Sequence, residues 1–234
     1  MDLLLILIHL LLIKQDIIQE GGQPPIKDGE GNVYESVVLG TQEWLTQDLR
    51  TTRYNDGEPI PVRIDAASLS KNLWIAGMSW YNYDSTAQVE AGYGALYNWY
   101  AVNTGKLCPA GWHVPTDEEW TILIQYLDTG KVNPDTLGKS QSNIAGGKMK
   151  EAGYDHWAGP NTNASNTSGW TALAGGYGIN DGGFYRQRFK GIWWSSTEAY
   201  QSHAYARSLR YKDGNIARID DLMSYFFSVR CLKD

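Results

Sequence analysis

The chain has 234 residues, 42% hydrophobic and 20% charged, enough apolar material to bury a core in one large or two small domains and to exclude disorder as the default state. A formal net charge of −6 and a pI near 5.2, with no Lys/Arg-rich stripe along the chain, argue against a nucleic-acid partner, whose phosphates reward a basic face. The 10 Trp and 15 Tyr are side chains that suit both cores and wet binding surfaces.

The first element is MDLLLILIHLLLI. Its unbroken apolar run from Leu3 to Ile13 has the length of a secretory h-region and is too short to span a bilayer as a helix. The flanks fit less well, because Met1-Asp2 stands where a positive segment is expected and no small-residue cleavage site follows. Export is preferred over a buried N-terminal helix or strand, and any membrane association runs through this segment alone. GGQPP at 21–25 resists regular structure. Residues 1–25 therefore read as an export segment and linker, and 26–234 as one folded domain outside the cytoplasm, at the cell surface, in the periplasm or secreted.

From Asp28, DGEGN supplies a turn and Val33, Val37, Val38 and Leu39 supply strand formers, so a β-hairpin is predicted, with short strands continuing through Trp44 and Leu45. YNDGEPIP at 54–61 is a loop by composition. In 91–102, Leu96, Trp99 and Tyr100 stand at helical spacing and predict a short buried helix. The strongest local signal follows. Thr116 and Glu119 form a capping box, Asp117 and Glu118 put negative charge into the first turn, and Trp120, Leu123, Ile124 and Leu127 line one apolar stripe, so 117–128 is an amphipathic helix ended before Gly130. The acidic run Asp117, Glu118 and Glu119 thus has a structural explanation ahead of a catalytic one.

Beyond Lys131 the chain turns polar and glycine-rich, with a further short helix predicted around 147–152. GPNTNASNTSG at 159–169 is a loop that matches the N-glycosylation pattern at Asn163 and Asn166, a match that such composition produces by chance. Strands are predicted over 170–174, 191–195, 204–211, 215–219 and 226–232. The class is α+β.

Cys108 and Cys231 suggest a single disulfide in an exported chain, with two buried thiols as the alternative. A bridge would close a loop of about 120 residues, worth roughly 4 to 5 kcal/mol in the loop-entropy treatment. His9, His113, His156 and His203 show no ligand spacing, so no metal or other cofactor is assigned. Ser195-Ser196 lacks a nucleophile elbow and GGYGINDGG at 175–183 lacks a Walker ending. Asn180 and Asp181 offer oxygens suited to calcium, though a plain turn is the preferred reading.

Seven motifs carry a wider resemblance: DGEGNVY (28–34), EWLTQDLRTTRYNDG (43–57), YGALYNWYAVNTGKLCPAGWHVPTDEEW (93–120), AGGKMKE (145–151), TALAGGY (171–177), WWSSTE (193–198) and FSVRCLKD (227–234). In these the chain resembles the Fibrobacter succinogenes major paralogous domain family, common in exported proteins of Bacteroidetes and Fibrobacteres. GWHVPTDEEW is in turn similar to the GxRLPTEAEWE element of formylglycine-generating-enzyme-type domains within the C-type lectin-like superfamily. The resemblance implies small twisted antiparallel sheets with two main helices and long loops, a terminal strand returning to the neighbourhood of the start, and Cys108 and Cys231 brought together. It does not imply the superfamily's chemistry. The close cysteine pair of the formylglycine-generating enzymes, the histidine triad of the iron sulfoxide synthases and the calcium–sugar motif of true C-type lectins are all missing from the sequence. Family members are often lipoproteins, and here no cysteine follows the apolar run.

The functional expectation is a non-catalytic binding or adhesion module for a glycan or protein, with a structural cell-envelope component and a formylglycine-generating-type oxidoreductase as alternatives. Its candidate surface is aromatic and polar: Tyr200, Tyr205, Arg207, Arg210, Tyr211 and Tyr225, with Trp193 and Trp194 read mainly as core.

Overall fold

Asp28 organises the start of the fold. Its carboxylate accepts from the backbone N–H groups of Glu30 and Asn32, both at 3.0 Å, and from the Tyr34 hydroxyl at 2.6 Å, closing a hairpin of β1 (Ile26–Lys27) and β2 (Val33–Tyr34). A second hairpin follows at once, β3 (Ser36–Leu39) and β4 (Gln42–Leu45), turned at Gly40 with φ 65. The hairpin expected from Asp28 onward is thus two in tandem, one for each set of turn residues. The computed structural model describes residues 24–234 apart from 70, 72 and 131. The expected export segment, and all of the linker but Pro24 and Pro25, lie outside the described residues.

Next come β5 (Val62–Arg63), α1 (Ala66–Leu69), β6 (Met78–Ser79), a 3-10 turn (Tyr81–Tyr83), α2 (Ser85–Glu90), β7 (Leu96–Tyr97) and α3 (Trp99–Val102). The helix expected over 91–102 forms only in its last turn. Ala95 N–H donates to the Leu49 carbonyl at 2.8 Å, and Gly94 lies so close that an added Cβ would sit 2.6 Å from the same oxygen. Asn98 then caps α3, its side chain accepting from Ala101 N–H at 3.1 Å.

After β8 (Trp112–His113) comes α4 (Asp117–Leu127), one residue shorter than expected and carrying the full capping box. Trp120, Leu123, Ile124 and Leu127 are its buried stripe, and the Lys148 ammonium takes the Leu127 carbonyl at 2.6 Å. The remaining elements are β9 (Lys139–Ser142), α5 (Ala145–Met149), the hairpin β10 (Tyr177–Gly178) and β11 (Phe184–Tyr185), the long strands β12 (Lys190–Tyr200), β13 (His203–Arg210) and β14 (Ile216–Leu222), and β15 (Leu232–Lys233). Among the described residues only α4, at 11 residues, is a substantial helix; α2, with 6, is the next longest. Among the described residues no second helix of comparable length forms; α5 is a single short turn whose AGG lies flush on neighbouring loops, where a Cβ on Gly146 or Gly147 would sit 2.4 Å from the carbonyl of Asn215 or Asn163.

Two four-stranded sheets frame the molecule, in orders β3-β4-β15-β8 and β12-β13-β14-β9. In the first, Leu232 of the last strand pairs antiparallel with Trp44 and with His113, so the terminal strand does return to the start. The strand expected over 226–232 forms only at this end; Phe226, Phe227 and Ser228 bridge instead to Gly178, Tyr97 and Trp193. The strand expected over 170–174 is also absent. Ala172 makes one bridge to Lys150, and Thr171, at φ 55, is held by Asn166, whose side-chain oxygen accepts from Thr171 N–H at 2.9 Å. The architecture is α+β, built of small, mostly antiparallel sheets with few helices.

All of the tryptophans but the exposed Trp74 are buried. Trp44, Trp120, Trp170 and Trp193 pack together with ring centroids 4.9 to 6.2 Å apart, and Trp194 heads a second cluster that includes Tyr97, Phe227, Cys108 and Cys231. Cys108 and Cys231 form a disulfide with Cα atoms 6.0 Å apart. Lys150 is fully buried, its ammonium donating to the carbonyls of Thr162, Arg210 and Asp213 at 2.8 to 3.1 Å.

The Cys108→Ala/Cys231→Ala double variant is expected to lose up to roughly 4 kcal/mol of unfolding free energy in denaturant titration, and an unchanged midpoint under non-reducing conditions would refute the bridge. Lys150→Met strands buried carbonyls without a donor, and a loss of roughly 3 kcal/mol is expected by the same measurement; a loss below about 1 kcal/mol would show that water replaces the ammonium at little cost.

Candidate functional site

The most buried charges are structural. Asp48 and Arg230 are 6% and 0% exposed, with Arg230 Nε 2.8 Å and Nη2 2.5 Å from one Asp48 oxygen. The same oxygen accepts from the Trp193 indole N–H at 2.8 Å. The guanidinium lies 3.7 Å from the Trp170 ring centroid and donates to the Trp170 and Thr171 carbonyls. Four of the motifs seen in the sequence meet at this one ion pair.

A second network disposes of the acidic cluster at the start of α4. Asp117 receives Arg207 Nη1 at 2.6 Å and Arg218 Nη2 at 2.7 Å, and the Arg218 guanidinium lies 3.8 Å from the Tyr205 ring centroid. Glu119 completes the cap, and its carboxylate also meets His113 Nε2 at 3.1 Å, while His113 Nδ1 meets Asp234 at 2.7 Å. These are joints between α4 and the sheets.

The surface candidates separate accordingly. Arg207 is 0% exposed and spent on Asp117, so it is removed from any contact surface. Trp193 and Trp194 are core. Tyr205 is covered by Arg218, and Tyr225 is half-buried near Phe227. Tyr200 is 54% exposed and stacks on His203 at 4.4 Å. Of these candidates, Arg210 and Tyr211 fall together in one concavity.

That concavity is a pocket of about 290 Å³ lined by Tyr177, Arg186, Phe189, Lys190, Arg210, Tyr211 and Lys212. Two short sequences build it, RFK at 188–190 and RYK at 210–212. Strands β12 and β13 pair Lys190 with Arg210, Tyr211 N–H donates to the Phe189 carbonyl at 3.1 Å, and the Phe189 and Tyr211 rings meet edge to face at 5.2 Å. Arg188 turns away, donating to the Asp155 and Tyr154 carbonyls at 2.9 and 2.8 Å, and so fastens the loop that carries its neighbours. Sequence reasoning missed Tyr177, Arg186, Phe189, Lys190 and Lys212; the repeated Arg-aromatic-Lys triplet was the available signal. A larger groove of about 810 Å³ beside Pro24, Val38 and Trp112 is lined by charges of both signs, with Lys233 paired to Glu43 at 2.7 Å.

Asp181 accepts from Gly183 N–H at 2.7 Å and from the Tyr185 hydroxyl at 2.6 Å, the bonding of a turn. His156 is held between Glu151 at 2.8 Å and the Ala91 carbonyl at 2.6 Å. Among the described residues no group of three or more His, Cys, Asp or Glu is arranged to hold a metal ion, and no helix is long and apolar enough to cross a membrane.

Fold and site together define a disulfide-closed α+β domain whose sheet edge carries a basic, aromatic pocket. The chain belongs to the Fibrobacter succinogenes major domain family, whose model matches residues 37–233. No curated protein and no solved structure matches the chain.

Burial raises the Asp117 carboxyl, but the hydrogen bonds and charges of Arg218 and Arg207 outweigh it and hold the group below the usual carboxylate range. A folded pKa below the unfolded one means that its stabilisation is complete above the unfolded value and is lost as pH falls through the folded one. Asp117→Asn should therefore be less stable than the parent at neutral pH, with the gap in melting temperature closing below about pH 4. A gap independent of pH would show that the carboxylate's charge is not what matters.

Proposed function

We propose that this domain is a non-catalytic, extracytoplasmic binding module, with the pocket between the two Arg-aromatic-Lys triplets as its contact site. The observation that carries the reading is this pocket: exposed aromatic area beside cations, on strands held rigid by the core, where ligand groups bind with little ordering cost. Both cysteines are joined in the disulfide, which favours an oxidising compartment and leaves neither as the thiol that formylglycine-generating-type oxidation requires. The capped helix beside a small sheet and the returning terminal strand support a C-type lectin-like fold. The ligand is a glycan or a protein at the cell surface, and no cofactor has a role.

A glycan array probed with the domain and with Arg210→Ala/Tyr211→Ala tests this. Retention of a defined set of glycans is expected, weakened about tenfold by the double substitution, with the variant still folded at the assay temperature in a thermal melt although Tyr211 packs against the core. Identical profiles for the two proteins would exclude the pocket as the contact site.

A further inference from the structure

Resting on the reading of the chain as a binding module, we infer that the pocket takes an anionic saccharide, its carboxylate or sulfate lodged among Arg186, Lys190 and Lys212 and its ring laid on Phe189 and Tyr211. Net charge points the other way for the whole chain, at −6, yet four of the seven residues lining this pocket are cations and none is acidic. Of those four, Arg210 is occupied by Asp213 at 3.1 Å. Among the described residues, the side chains of Arg186, Lys190 and Lys212 make no hydrogen bond or ion pair, and the Lys190 ammonium lies 5.4 Å from the Tyr177 ring centroid.

Lys190 is the informative one. Burial lowers its proton affinity, opposed by Asp221 and reinforced by Arg210 and Arg186. A cation held half out of water beside other cations is stabilised by an arriving anion more than a free surface lysine is. The site is also prebuilt: the buried Lys150 ammonium fixes the Arg210 and Asp213 carbonyls at 3.1 and 2.8 Å, and the Arg188 guanidinium fixes the opposite wall. Little ordering remains for the ligand to induce.

The rings choose among anions. Phe189 is 43% exposed and meets Tyr211 edge to face, so the two offer a bent apolar corner that suits the C–H face of a sugar ring, not the parallel platform on which successive nucleobases stack. A volume of about 290 Å³ lies at the small end of ligand pockets and admits one or two rings.

Isothermal titration of the domain with hexagalacturonate, a heparin hexasaccharide, cellohexaose and hexathymidylate decides the matter. At least one acidic saccharide should bind, with the carboxylated and sulfated probes showing which acid is read. Affinity should fall about tenfold in Arg186→Met/Lys190→Met and should fall as salt is raised from about 0.05 to about 0.5 M. Lys212→Met provides the same readout should the double variant unfold. Cellohexaose binding as tightly as the acidic probes, hexathymidylate binding more tightly than any of them, or variants that bind like the parent would each overturn the inference. Glycan-array retention of neutral sugars alone would overturn it while leaving the binding-module reading intact; an array with no retained glycan and no titratable acidic probe would overturn it and leave the binding-module reading only a protein ligand.

Discussion

The ion pair between Asp48 and Arg230 sets the terms for the rest of the structure. An arginine with no exposure loses several kcal/mol of hydration, and only a complete set of partners restores it. Asp48 supplies the charge, the Trp170 and Thr171 carbonyls take the remaining N–H groups, and the Trp170 ring covers the face. Each partner comes from a different part of the chain, so the loop at 46–49, the irregular segment around 170 and the approach to β15 must all be in place together. That requirement explains why 170–174 is not a strand. Its carbonyls point at a guanidinium, and Thr171 accepts a positive φ, normally a conformation for glycine or asparagine, to aim one of them.

Lys150 repeats the device on a smaller scale. Its ammonium gathers carbonyls from the loop at 162 and from the turn between β13 and β14, and the adjacent glycines let α5 come close enough for the reach. Backbone that belongs to no sheet or helix is thus paired by buried cations instead of by neighbouring strands. A domain with short strands, few helices and long connections can be rigid on this principle, and the edge that carries the basic, aromatic pocket inherits that rigidity.

Local signals were legible in the sequence wherever they were self-contained. The capping box, the stripe on α4 and the turn chemistry of Asp28 each involve residues within a few positions of one another, and each stands in the structure as read. Readings failed where a distant partner intervened. Leu49 takes the N–H that a helix over 91–102 needs, and Asp117 claims Arg207 across 90 residues, turning a nominal surface cation into core. The pocket was hidden for the same reason. A search for a basic stripe finds nothing in either Arg-aromatic-Lys triplet alone, and an acidic total obscures both. Only the register of β12 against β13 places one beside the other, and that register depends on side-chain packing made far from the pocket.

The placement of β15 has a consequence for how the protein comes into being. Residues 230–233 supply the arginine, one half of the disulfide and the strand that separates β4 from β8. A nascent chain halted before Arg230 has an uncompensated Asp48, a free thiol at Cys108 and a sheet with a missing middle. Contacts spanning 182 residues also close slowly, because the chain between them must first be confined. The domain's core is therefore incomplete until the segment around Arg230 has joined it, and any truncation before that residue acts on the whole domain at once.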